Sequence, residues 1–432
     1  MNDWLLQGVM LPTAAGSDPV VDVRLIDGVV AEIGTTLSQG DAQVIAAAAL
    51  IALPGLVDLH THLREPGRED AETVETGTRA AALGGFTAVH AMANTDPVAD
   101  SAGVVEQVWR LGRDAGHCDV HPVGAVTLGL NGVALAELGA MAESAARVRV
   151  FSDDGRCVSD AGLMRRALDY VKAFDGVIAQ HAQEPTLTVG AQMHEGVVSA
   201  RLGLTGWPAA AEESIIARDC LLAGHTGSRL HVCHVSTAGS VELIRWAKAK
   251  GWRVTAEVTP HHLCLTDELA ESYDPIFKVN PPLRTQADVD ALRVGLADGT
   301  IDAVATDHAP HSLEDKESEW GCAAFGMLGL ETALSIVAES MVETGLMSWY
   351  DVADRMSVRP AAIGGLVSQG LTLAVGVPAN ITLVDPGAHW TVDPGQLASR
   401  SRNTPYAGRT LSARVVATFL RGRPTILEGK LA

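Results

Sequence analysis

The chain has 432 residues, of which 47% are hydrophobic and 4% aromatic, with 43 glycines and a formal net charge of −20. That length supports a large core with a small unit attached, and sparse aromatics with abundant Ala and Gly suit helices packed on a parallel sheet better than a β-sandwich. The acidic balance excludes nucleic acid and anionic membranes as main partners, but not an anionic metabolite, which a few local Arg or His residues beside a metal can hold.

The six cysteines (Cys118, Cys157, Cys220, Cys233, Cys264 and Cys322) form no C-x-x-C pair, so reduced thiols are expected. Residues 1–12 have no basic segment leading into an apolar one, and no apolar run approaches the ~20 residues of a bilayer span. The expectation is a cytoplasmic enzyme.

In chain order, VVDVRLIDGVVAEIG at 20–34 reads as two alternating runs around an Asp27-Gly28 hairpin turn. Eight apolar strand-like runs follow: IALPGLVDLHTH, FTAVHAMA, DVHPVGAVT, ARVRVFSDD, GVIAQHAQ, RLHVCHVS, RVTAEVTPHH and IDAVATDHAPH. Helix-length segments such as 101–115, 160–174, 209–224 and 237–250 lie between them. Strands alternating with helices predict an α/β fold, a (β/α)8 TIM-type barrel. The charged stretch LEDKESEW at 313–320 reads as a solvated loop after the eighth strand, with a mobile active-site flap as the lesser reading. Near the C-terminus, ANITLVDP, ARVVATFLRGR and PTILEGKLA again look like short strands. The expected organisation is a barrel over 53–370 and a small β-domain built from 1–52 and 371–432.

Almost every reactive residue falls at the C-terminal end of a predicted strand, which is the catalytic rim of such a barrel. His60 and His62 are two apart, so a regular strand points both imidazoles the same way. His181 ends the fifth strand, His234 the sixth and Asp307 the eighth. Four imidazoles and a carboxylate converging in a buried place would compete for few partners, whereas a divalent cation uses their lone pairs directly. Imidazole with carboxylate favours zinc over Ca2+ or Mg2+. A pair of cations needs a bridging anion, and FSDDG at the fourth strand end offers Asp153 and Asp154, only one of which can face inward.

The motifs PGLVDLHTHLREPG (54–67), NTDP (94–97), FSDDGR (151–156), AQHAQE (179–184), HVCHVS (231–236), VTPHHL (258–263), KVNPPLR (278–284) and TDHAPH (306–311) occur in that order. Together they resemble the amidohydrolase superfamily and, within it, the type I bacterial dihydroorotases. The resemblance implies that His60 and His62 bind one zinc ion, His181 and His234 a second, that Asp307 contacts the first and that Asp154 bridges the pair. A single occupied site is the alternative. Many superfamily members use a carboxylated Lys at the fourth strand; none lies near that strand end here, which separates the chain from the hydantoinase pattern.

The resemblance further implies that Arg64, Asn94 and His311 hold the carboxylate of dihydroorotate, that Asn280 binds its ring, and that Phe325 and Gly326 add contacts, with His62 beside the substrate. For Arg64 the competing reading is an ion pair with Glu65 or Glu69, and for Asn94 a turn role before Asp96-Pro97. His261 and His262 are left outside the ligand set as supporting or packing residues. His90, His117, His121, His194, His225, His231 and His389 are read as structural.

The implied reaction is the reversible cyclisation of N-carbamoyl-L-aspartate to L-dihydroorotate in pyrimidine (UMP) biosynthesis, with Asp307 as proton acceptor and donor. A hydantoinase- or allantoinase-like cyclic amidohydrolase is the nearest alternative. A catalytically silent scaffold for aspartate transcarbamoylase is the other, disfavoured by the complete ligand set. A homo-oligomer is expected, and an active enzyme in complex with aspartate transcarbamoylase is compatible with the same reading.

Overall fold

The computed structural model describes residues 3–432. Eight parallel strands occur in the expected order and are numbered here β1 (Leu56–Thr61), β2 (Phe86–Ala91), β3 (Asp119–Pro122), β4 (Val150–Phe151), β5 (Val177–Gln180), β6 (Arg229–Val232), β7 (Val254–Val258) and β8 (Ala303–Val304). They fall into two sheets, β1-β2-β3 and β4-β5-β6-β7-β8. Isolated parallel bridges join the sheets at both margins, Gly124 to Phe151 and Thr61 to His308.

Helices cross over between successive strands. Ala102–Ala115, Ala161–Val171, Ala209–Thr226 and Ala238–Ala249 occupy the segments expected to be helical. Their boundaries follow from local chemistry. Asp160 accepts the Leu163 N–H and Thr237 the Ser240 N–H, satisfying amides that have no partner within the first turn. Aliphatic side chains from β6 and β7 and from the helices Ala209–Thr226 and Ala238–Ala249 share one core, including Ile216, Leu230, Val232, Ile244, Val254 and Val258.

A separate nine-stranded sheet unites the two ends of the chain. Its strand Ile51–Pro54 pairs antiparallel with Ile381–Thr391, matching Pro54 to Ile381 and Ala52 to Leu383. Trp4, Leu6, Val23, Leu25, Leu383 and Phe419 belong to its own core, with Trp4 and Phe419 edge to face at 5.6 Å. The Asp27-Gly28 turn joins Val20–Ile26 to Val29–Gly34, and both turn residues have positive φ (49° and 85°), as a two-residue hairpin requires.

The segment expected to be a solvated loop differs in part. Leu313–Lys316 forms a short helix whose start is capped by Ser312. Glu314, Glu317 and Glu319 face water, while Lys316 and Trp320 are buried. No described helix is long and apolar enough to cross a membrane.

Candidate active site and metal centre

β1 presents Asp58, His60 and His62 on one face. Asp58 is buried and ties this strand to the end of β8, accepting the Thr306 N–H and hydroxyl (3.1 and 2.6 Å) and the His60 N–H (3.0 Å). Burial pushes its carboxyl up to about 7. His60 and Asp307 are thereby held beside each other across the strand junction.

After β4 the two aspartates separate by parity. Asp153 turns away, accepting the N–H groups of Val126 and Thr127 (2.8 and 2.9 Å). Asp154 turns inward and is 3% exposed. Its Oδ2 lies 3.3 Å from the Nε2 atoms of both His60 and His62, and its Oδ1 lies 3.1 Å from His181 Nδ1 and His234 Nε2. Each carboxylate oxygen therefore faces one histidine pair. Asp307 closes the first pair, 3.1 Å from His62 Nε2 and 3.5 Å from His60 Nε2. All six expected ligand residues meet here.

The outer nitrogens of three of these imidazoles are fixed by hydrogen-bond acceptors. His60 donates Nδ1–H to Glu257 Oε1 (2.8 Å), His62 donates Nδ1–H to Asn94 Oδ1 (2.9 Å), and His181 donates Nε2–H to Gln183 Oε1 (2.8 Å). The other nitrogen of each ring then points a lone pair at Asp154 or Asp307, an unfavourable contact unless a positive charge lies between. Two further observations agree. The Nε2 of His60 is buried without a hydrogen-bond partner, and its geometry places it in groups able to hold one ion, with His62 and Asp307 or with Asp154 and His234. Burial opposes charging of His60, His62 and His181, yet Asp154, joined by Asp307, raises all three, so the pocket calls for positive charge. The nitrogen and oxygen donors fit a divalent transition ion.

Glu257 and Gln183 escaped the sequence reading. Glu257 is fully buried in β7, where its second oxygen accepts His231 Nε2–H at 2.9 Å. Burial opposes its ionisation, but His231 and His60 outweigh it and hold the carboxyl down to about 2. The available signal was a lone acid inside the apolar run RVTAEVTP. His231, read as structural, supports this carboxylate. His262 donates to Pro281 O (3.1 Å) and bonds Thr259, a supporting role beside Asn280. His261, whose Nε2 is buried without a partner, is pulled down to about 4 by burial.

The residues expected to meet a substrate lie at the same rim. Arg64 makes no pair with Glu65 or Glu69, which instead accept the N–H groups of Val74 and Gly67. Its Nε donates to Pro310 O (3.0 Å), its Nη2 lies 3.4 Å from His311 Nε2, and burial lowers it to about 10. His311 bonds the Phe325 carbonyl at 2.8 Å and is drawn down to about 3 by burial and the Arg64 charge, so the ring is neutral. Asn94 serves His62 through Oδ1. Asn280 donates Nδ2–H to Gln183 (3.2 Å), while its Oδ1 is buried without a partner, an acceptor ready for a ligand N–H.

The ring of Phe325 packs edge-on to Trp207 at 6.2 Å, leaving its main chain toward His311. The Gly326 carbonyl is engaged by Lys316 Nζ and Asn403 Nδ2 (3.0 and 3.2 Å). A Cβ at Gly326 would stand 2.8 Å from both Ala309 Cβ and His311 Nε2, at a φ of 140°. Gly326→Ala is accordingly expected to cost about 1–3 kcal/mol of stability by overpacking, read as a lower urea midpoint; an unchanged midpoint would show that His311 yields freely.

Known proteins are similar to this chain over its whole length. Residues 49–240 match the family model described as dihydro-orotase-like. A dihydroorotase of Streptomyces coelicolor is 69% identical over 432 residues, covering all of both chains, and one of Mycobacterium tuberculosis is 58% identical over 417 residues, 96% of this chain and 97% of the relative. Among solved structures, an L-hydantoinase from Arthrobacter aurescens superposes with a TM-score of 0.89 at 26% identity, covering 100% of this chain and 98% of the other. A dihydropyrimidinase from Brevibacillus agri superposes at 0.84 with 23% identity, covering 100% and 96%, a likeness of fold. With identity of this degree over its whole length, the chain belongs to the dihydroorotase family.

Proposed function

We infer that this protein is a dihydroorotase, interconverting N-carbamoyl-L-aspartate and L-dihydroorotate in pyrimidine biosynthesis. The observation that carries the reading is Asp154 between two histidine pairs, in a chain whose full-length relatives at 58–69% identity bear that name. Hydantoinases share the fold at 20–26% identity.

The reading includes a (β/α)8 barrel closed through the bridges Gly124–Phe151 and Thr61–His308. It divides the chain at 1–52, 53–370 and 371–432; residues 1 and 2 lie outside the described residues, and the strand Ile51–Pro54 carries the terminal sheet beyond the first boundary. His60, His62, His181, His234, Asp154 and Asp307 would hold two zinc ions, the donor set suiting zinc. When bound, these cations polarise the ring carbonyl and acidify the attacking water.

The chain's own groups do the rest. Arg64 receives the substrate carboxylate, its guanidinium supplying a planar fork of donors, with His311 anchored beside it by the Phe325 carbonyl. Asn280 Oδ1 accepts a ring N–H, and the main chain at Phe325 and Gly326 borders the ring. Burial works against ionisation of Asp307, but His60 and His62 outweigh it and hold the carboxyl below the usual range. Ionised and 3.1 Å from His62 Nε2, Asp307 is assigned the proton of the attacking water, which it passes to the departing ring nitrogen.

Purified protein is expected to hydrolyse dihydroorotate, followed by loss of ultraviolet absorbance, with activity removed by a chelator and restored by zinc. Absence of turnover at full metal content would overturn the assignment. Ring closure removes one carboxylate charge and consumes one proton, so the equilibrium shifts toward dihydroorotate as pH falls. Identical equilibrium ratios at acidic and alkaline pH would contradict the assigned reaction.

A further inference from the structure

Two buried lysines near the substrate residues have no place in the reaction scheme. Lys278, just ahead of Asn280, is 2% exposed, and Lys316, at the end of the short helix after β8, is 6% exposed. Among the described residues, lysine ion pairs are made by Lys172 and Lys248, not by these two. Main-chain carbonyls take the place of counter-ions. Lys278 Nζ donates to Trp320 O and Ala323 O at 2.6 and 2.7 Å and lies 4.4 Å from the Phe325 ring centroid. Lys316 Nζ donates to Ala324 O, Gly326 O and Lys278 O at 2.9, 3.0 and 3.3 Å. The Lys278 carbonyl also accepts the Gly326 N–H at 2.9 Å, so the two lysines are stitched to each other as well as to the loop.

Burying two like charges without a carboxylate is costly, and burial with the neighbouring Lys278 charge brings Lys316 down to about 7. Apolar side chains would fill this volume more cheaply. What an ammonium adds is several convergent donors, suited to a loop whose irregular backbone cannot pair its carbonyls in a sheet. The pinned segment is the one whose Phe325 carbonyl holds His311, which in turn lies against Arg64.

We propose that Lys278 and Lys316 are positioning residues for substrate binding, clamping the Trp320–Gly326 segment so that His311 and the Phe325–Gly326 main chain stand preformed around the substrate carboxylate. The proposal rests on the dihydroorotase reading above. It separates binding from chemistry: neither lysine touches the proposed metal ligands, so their loss acts on substrate affinity and leaves the proton relay at Asp307 in place.

The test uses metal-loaded protein with Lys278→Met or Lys316→Met, which keep a long unbranched side chain and remove its donors. The expected result is a KM for dihydroorotate about tenfold higher, with kcat changed less than about threefold, as removal of charged hydrogen bonds from a binding loop implies. Metal content stays at the unaltered level. Hydrogen–deuterium exchange accelerates in 313–326 and nowhere else in the barrel. An unchanged KM in a folded, metal-replete variant overturns the proposal, as does unchanged exchange in that segment. If the methionine variants do not fold, Lys316→Gln keeps a smaller set of neutral donors and is expected to give a raised KM; an unaltered KM there overturns it equally. Failure of the unaltered protein to turn over dihydroorotate sinks the functional reading alone, because the exchange comparison still tests the clamp.

Discussion

Asp307→Asn is expected to lower dihydroorotate turnover by about 10²–10⁴-fold, the usual contribution of a positioned acid–base group, while the protein keeps its metal. The carboxylate lies 3.1 Å from His62 Nε2 and is 4% exposed, so bulk water does not replace it as a proton acceptor. An amide oxygen still coordinates a cation, but it cannot carry a proton between water and the ring nitrogen. Measuring kcat and metal content on the same sample distinguishes the two functions of this side chain. Near-normal turnover would remove Asp307 from the relay, and loss of metal would reduce its role to that of a ligand.

Asp154→Ala should have the larger structural effect: bound metal falls to background after dialysis, turnover is lost with it, and the thermal midpoint drops because cation binding no longer favours the folded state. Among the described residues this carboxylate alone makes close contacts with both histidine pairs, with each oxygen committed to one pair. Its neighbour Asp153 is the control. Asp153 accepts main-chain N–H groups at Val126 and Thr127, so Asp153→Asn is expected to retain metal. Equal metal content in Asp154→Ala and unaltered protein would refute the bridging assignment.

The order of strands, the crossover helices and the meeting of the two chain ends were legible because each rests on local pattern. Alternation, turn residues and caps act over a few residues, and the chain contains few conflicts between them. The proposed ligands His60 and His62 were legible for the same reason, since strand parity alone places both on one face. His234 and Asp307 are different. Cys233 packs with Val150, Val177 and Ala179, and Ala303 and Ala305 pack with Leu59 and Ile363. Continued parity would send His234 away from the Cys233 side, and Asp307 toward the side of Ala303 and Ala305. Both residues instead have positive φ, 30° and 46°, which turns the chain at the strand end and brings their side chains to Asp154 and His62.

The supporting groups were hidden for a further reason. Glu257 and His60 are 197 positions apart, and Lys316 contacts the Gly326 and Lys278 carbonyls through a fold in the loop. No periodicity connects such residues. By itself the sequence determined the element types, their order and which imidazole and carboxylate side chains stand at the strand ends, because those depend on neighbours along the chain. Only the tertiary structure decided which nitrogen of each histidine faces Asp154 or Asp307 and which loop carbonyls the buried lysines engage. Those choices depend on hydrogen-bond partners brought together from distant strands, where burial makes an unpaired polar group too costly to leave alone.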